Sequence, residues 1–126
     1  MAVTPHDLVI EAKAQIKEVS TAEAQSTLTG YTVIDVREYD EFAAGHLPGA
    51  INIPRGVLEF KIGTVGECAD KDKPYLLYCR TSGRAALSTV QLQKIGYSKL
   101  VSMAGGFEAW AKEERPTDKP APVNFD

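Results

Sequence analysis

Apolar positions along this chain follow two alternating patterns. Short continuous runs occur at Thr32-Val33-Ile34-Asp35-Val36 and Pro74-Tyr75-Leu76-Leu77-Tyr78, the pattern of strands buried on both faces of a parallel sheet. Shorter runs at Glu18-Val19-Ser20, Ala50-Ile51-Asn52-Ile53 and Lys99-Leu100-Val101 extend the series. Between them the spacing is helical. Thr4-Pro5 opens a helix that carries Leu8, Val9, Ala12 and Ile16 on one face, with Thr4 as N-cap and Pro5 at the first helical position. Ser20 or Thr21 caps a helix running to about Leu28 and ended by Gly30. Glu38 to Ala44 is short and helical, Arg84 to Ile95 is longer with Gly96 as its C-cap, and Phe107 to Glu114 is the last.

Two stretches interrupt the alternation. Gly45-His46-Leu47-Pro48-Gly49 is a turn cluster. Residues 55–73 hold one or two helical turns through Val57, Leu58, Phe60 and Ile62, then a solvated loop containing Asp70-Lys71-Asp72-Lys73. Strands alternating with helices imply a parallel sheet with helices on both faces and right-handed crossovers. With no internal repeat, the chain divides into an N-terminal helical extension (1–16), one α/β domain (17–116) and a C-terminal tail (117–126) rich in proline. The extension reads as a packing helix ahead of a partner-binding one.

The 126 residues suffice for one well-buried domain. A formal net charge of −3 argues against nucleic-acid or anionic-membrane partners, both of which call for a basic face. Asp7, Glu11 and Lys13 interrupt the first apolar stretch, which excludes a secretory h-region, and no uncharged run reaches membrane-spanning length. The expectation is a cytoplasmic protein, monomer or homodimer. Cys68 and Cys79 are the only cysteines; their spacing and compartment argue against a structural disulfide. Neither has the Cys and His neighbours of a metal site, and no cofactor is called for.

The chemistry concentrates at Tyr78-Cys79-Arg80-Thr81-Ser82-Gly83-Arg84. Here a cysteine sits between a strand and a helix N-terminus, at the carboxyl edge where sites form in open parallel sheets. Helix N-termini and neighbouring cations favour thiolate over thiol, so Cys79 is expected to be a nucleophile without needing a histidine base. Arg80, Thr81, Ser82, Gly83 and Arg84 form the expected anion cradle. Arg84 has a rival reading as an anchoring ion pair, and Arg55, after another strand, reaches toward the same edge. Asp35 and Arg37 read as structural support ahead of an acid–base pair, and His46 as an ordering residue of its turn. Gly105 and Gly106 serve backbone geometry, and Phe107 and Trp110 belong to the core. Cys68 reads as a bystander, with a resolving role for oxidised Cys79 left open. The cradle fits a persulfide or a phosphocysteine. Four residues separate Cys79 from Arg84, a short loop that suits a single terminal sulfur better than a phosphoryl group with three oxygens.

Three segments together resemble the rhodanese family of sulfurtransferases, in single-domain form: Val33–Glu38 through Gly45–Pro54, the loop Tyr78–Arg84, and Ala104–Trp110. The resemblance covers roughly residues 17–116. It implies a three-layer α/β fold with a five-stranded, mostly parallel sheet. It also implies that Cys79 takes the outer sulfur of thiosulfate or a similar small anionic donor. A persulfide then passes the sulfur to cyanide, a thiol or a protein acceptor. Phosphatases sharing this fold carry a loop one residue longer. The alternatives are a non-enzymatic sulfur carrier, and a small-anion phosphatase or arsenate reductase using the same thiolate.

Overall fold

A computed structural model describes residues 2–121; the last five residues of the expected tail lie outside them. Five strands form one sheet in the order β1-β5-β4-β2-β3, and every pairing is parallel. The strands are β1 (Glu18–Val19), β2 (Thr32–Asp35), β3 (Ile51–Asn52), β4 (Pro74–Tyr78) and β5 (Lys99–Met103). The helices are α1 (Pro5–Lys13), α2 (Thr21–Thr27), α3 (Tyr39–Ala44), α4 (Leu58–Lys61), α5 (Gly83–Lys94) and α6 (Gly106–Lys112). The α/β fold with helices on both faces is therefore as the sequence implies. Among the described residues no helix is long and apolar enough to cross a membrane.

Strand β4 shows why its sequence is an unbroken apolar run. Tyr75 and Leu77 point to one face, with Ile34, Leu58, Ile62, Ala85 and Leu92. Leu76 and Tyr78 point to the other, with Val33, Leu47, Met103 and Trp110. These four side chains are fully buried, with only Pro74 of the strand partly exposed, each worth about 1.5–3 kcal/mol against exposure for an apolar side chain of this size. The strand is central, with β5 on one side and β2 on the other. From β2 the chain moves to β3 on one side, and from β4 it moves to β5 on the opposite side. The switch point, where clefts open at the carboxyl edge, falls between β2 and β4.

The helix caps follow the sequence. Thr4 and Asp7 form a reciprocal capping box on α1, and Ser20 and Glu23 form one on α2. Helix α1 lies on the outer face of α5, where Ala12 packs with Ala86 and Val90. Between β3 and β4 the chain makes 3-10 turns at Arg55–Val57, Ile62–Thr64 and Gly66–Cys68 around the single turn of α4. Leu58 and Ile62 are buried there, whereas Phe60 is exposed. Strand β5 runs two residues beyond the expected Val101, because Ser102 and Met103 complete the register with β1. After α6 the chain returns to the turn that precedes β3. Trp110 Nε1 donates to the Pro116 carbonyl at 2.7 Å, and His46 and Asp118 exchange backbone hydrogen bonds at 2.9 and 2.8 Å.

Candidate active site

Cys79 directly follows β4, and its loop ends at the first turn of α5. The residue is 1% exposed. Its Sγ accepts the Ala85 N–H at 3.3 Å, a donor that belongs to the unsatisfied first turn of α5. The sulfur thus faces the positive end of a twelve-residue helix. Ser82 is the N-cap of α5 and Gly83 its first residue, within one position of the expected start.

The outside of the loop is held by α6. Phe107 N–H donates to the Cys79 carbonyl at 2.8 Å, and Glu108 N–H donates to the Arg80 carbonyl at 2.9 Å. Gly106 makes this approach possible. Its φ is +60°, and a Cβ there would lie 2.6 Å from the carbonyl oxygens of Cys79 and Arg80 and closer still to that of Thr81. No side chain fits, so the expected role of Gly106 in backbone geometry becomes a specific contact with the cysteine loop.

The two loop arginines are both paired. Arg84 forks onto Glu41 of α3, Nη1 to Oε1 at 2.8 Å and Nη2 to Oε2 at 3.0 Å. The same Oε1 accepts the Glu38 N–H at the start of α3. The Arg84 guanidinium accordingly holds the Glu41 carboxyl at about 2, well below the usual carboxylate range. Of the two readings of Arg84, this geometry is that of the anchoring ion pair. Arg80 is exposed and donates from Nε to Glu108 Oε2 at 3.2 Å. Thr81 is exposed and Ser82 half-buried. Arg55 is exposed in the turn after β3, on the same carboxyl edge, with its backbone N–H on the Val36 carbonyl.

Beneath this surface lies a closed polar knot. Asp35 and Arg37 are 0% and 4% exposed. Arg37 donates from Nη2 to Asp35 Oδ2 at 2.7 Å and from Nε to Oδ1 at 3.0 Å. Nη2 also reaches the Gly45 carbonyl, and the guanidinium lies 4.4 Å from the Phe107 ring centroid. The Tyr78 hydroxyl donates to Asp35 Oδ2 at 2.6 Å and accepts the Leu47 N–H. Burial and the adjacent Asp35 charge push the Tyr78 phenol far up, so it stays a donor. This arrangement ties the end of β2, the end of β4 and the 45–49 turn together. Arg37 Nε and Nη2 and the Tyr78 hydroxyl all find acceptors inside the knot, which is the geometry of support. His46 is buried, with Nδ1 at 2.8 Å from the Leu47 carbonyl and its ring stacked on Phe42 at 4.0 Å.

Cys68 ends a 3-10 turn in the same core cluster as Cys79. Burial, followed by the neighbouring Glu67 charge, pushes its thiol up to about 11. That favours the bystander reading, since a resolving cysteine works as thiolate.

Sequence reasoning missed three contributors: Glu41, the α6 N–H groups and Lys13. Lys13 Nζ, on α1, donates to Ser82 Oγ at 2.8 Å across 69 positions of sequence. The Glu38 to Glu41 spacing of a capping box was the one readable hint for Glu41; nothing local marks Lys13.

Comparison with known proteins agrees with this geometry. The family model described as a rhodanese-like domain matches residues 16–113. A putative sulfurtransferase of Bacillus subtilis, YtwF, is 36% identical over 105 residues, covering 81% of this chain and 97% of the relative. The human single-domain sulfurtransferase TSTD1 has a similar structure, with TM-score 0.69, 26% identity, and coverage of 76% of this chain and 96% of the other. A Rhodopseudomonas palustris protein described as of unknown function and a possible tyrosine phosphatase superposes with TM-score 0.81 at 28% identity, over 94% and 96% of the two chains. Cysteine loop, helix-held carbonyls, fold and matched span converge, and this chain belongs to the rhodanese-like domain family.

Proposed function

We propose that this protein is a sulfurtransferase that carries sulfane sulfur on Cys79. One observation carries the reading: Sγ at the mouth of a helix N-terminus, with four residues closing the loop before Arg84. In the first half-reaction the Cys79 thiolate attacks the outer sulfur of thiosulfate. The donor's S–S bond breaks, and sulfite leaves with the bonding electron pair. A persulfide anion remains on Cys79, within reach of the first-turn donors of α5. In the second, cyanide or a thiolate attacks the terminal sulfur. The persulfide bond breaks, the sulfur leaves on the acceptor, and the Cys79 thiolate is restored. The cycle is covalent and ping-pong. Arg80 and Arg55, both exposed on the carboxyl edge, draw the donor anion inward. Arg84 fixes the end of the loop through Glu41.

Intact-mass analysis after thiosulfate tests this. The expected result is a gain of one sulfur atom, lost on addition of cyanide and absent in Cys79→Ser. No adduct from thiosulfate or an organic persulfide would overturn it. The likeness to the R. palustris protein keeps a phosphatase reading in view. Turnover of an aryl phosphate without sulfur loading would establish that reading instead. Loading without turnover to small acceptors would mark a carrier that serves a protein partner.

A further inference from the structure

Three cations surround the cysteine loop, and they differ in how far their charge is already neutralised. Arg84 is bound bidentately by Glu41 at 2.8 and 3.0 Å. Arg80 has Glu108 at 3.2 Å. Lys13 instead donates to a neutral oxygen, Ser82 Oγ at 2.8 Å. Its nearest carboxylate oxygen, Glu18 Oε2, is 3.7 Å away and receives no hydrogen bond among the described residues. Of these three cations Lys13 is the most loosely paired: its ion pair with Glu18, at 3.7 Å, has no hydrogen bond.

Its placement is not incidental. Val9 and Lys13 lie one turn apart on the same face of α1. Val9 Cγ2 would be 3.3 Å from a Cβ on Gly83, so the helix lies across residues 82 and 83. Lys13 is half-buried, its side chain 34% exposed, which leaves its field less screened than that of exposed Arg80. By accepting from Lys13, the Ser82 hydroxyl keeps its own proton free to donate elsewhere. Helix α1 also precedes the span shared with the family model, residues 16–113.

We propose that Lys13 is a positioning residue for anions at Cys79: it orients the Ser82 hydroxyl at the cap of α5 and supplies a loosely paired positive charge that recruits an anionic reagent. The identity of that anion as a sulfur donor rests on the function proposed above, but the charge effect does not.

The test separates the two. Alkylation of Cys79 by iodoacetate and by iodoacetamide is followed at the Cys79 peptide, and the rate ratio is taken. Cys79 nucleophilicity cancels, leaving the attraction for the anionic reagent. The expected ratio falls about fivefold in Lys13→Met, returns to near wild type in Lys13→Arg, and rises in Glu18→Gln, where Lys13 loses its counter-charge. The differences shrink toward 1 M salt, where the Debye length is about 3 Å. In thiosulfate turnover, Lys13→Met raises KM by about the same factor at unchanged kcat. A wild-type ratio in Lys13→Met, or a ratio in Glu18→Gln at or below wild type, overturns the proposal. Glu18→Gln decides alone if Lys13→Met fails to fold. If wild type loads no sulfur, the sulfur-transfer reading falls while the alkylation ratio still decides the role of Lys13.

Discussion

Gly106→Ala puts the contact between α6 and the cysteine loop to a quantitative trial. The substitution acts in two ways. It places an L-residue at φ +60°, which costs about 1–2 kcal/mol. It also drives a methyl group into three loop carbonyls, so loop and helix must separate. The hydrogen bonds from Phe107 and Glu108 N–H to the Cys79 and Arg80 carbonyls are then lost or lengthened, at about 1 kcal/mol each. The sum is about 3–4 kcal/mol, a large share of the roughly 5–15 kcal/mol that stabilises a typical domain. Urea unfolding, followed by fluorescence of the single, fully buried Trp110, is a direct assay. With a slope of about 2 kcal/mol/M, the midpoint drops by about 1.5–2 M. Gly49→Ala separates the two contributions: its φ is +77°, but nothing lies within 4 Å of the added Cβ. It should cost only the conformational share, about 1–2 kcal/mol. If Gly106→Ala costs no more than Gly49→Ala and loads sulfur at the wild-type rate, the close-approach argument is wrong.

Glu41→Gln should destabilise by about 1–1.5 kcal/mol at neutral pH. A carboxyl lowered from 4.5 to about 2 converts in full to about 3 kcal/mol, but Arg84 is 37% exposed and solvent screening cuts that figure. Because the folded-state value is depressed, the contribution is complete above about pH 4.5 and fades as pH falls toward 2, so wild-type and variant stabilities should converge across that window. Arg37→Met strands the fully buried Asp35 carboxylate and should cost about 3–5 kcal/mol in urea unfolding, whereas Asp35→Asn added to it should recover part of the loss. Cys68→Ala should leave thiosulfate loading of Cys79 unchanged in an intact-mass assay while costing about 1 kcal/mol for the small void it leaves in the core.

What could be read from the chain, and what could not, divides by range. The runs through Thr32–Asp35 and Pro74–Tyr78 announced themselves because helices cover both faces, so polar alternation is absent. The Cys79 loop was legible because a strand, a cysteine and a helix cap are neighbours in sequence. The end of β5 was not, since Ser102 is polar and Ala104-Gly105-Gly106 follows. Its strand state comes from pairing of Ser102 with β4 and, over eighty residues earlier, of Ser102 and Met103 with β1. The helical content of 55–68 was visible only as scattered apolar residues, because four short turns never sustain one period. Arg84 stayed ambiguous until Glu41 was seen beside it, 43 positions away. In the sequence Lys13 is only a charge that interrupts the first apolar stretch. Only the fold of α1 against α5 brings it to Ser82.

The two loop carbonyls taken up by α6 also bear on modularity. A strand–Cys–helix unit from Pro74 to Lys94, moved into another parallel sheet, would carry its cysteine and its helix N-terminus intact. It would arrive with the Cys79 and Arg80 carbonyls turned to solvent and without the glycine-fronted helix that sets their orientation. Such a graft should yield an ordinary surface thiol. The transferable part is discontinuous: the cysteine loop together with Gly105-Gly106-Phe107-Glu108 from the other end of the domain. Natural change at either segment is therefore constrained by the other, although residues 85–104 lie between them.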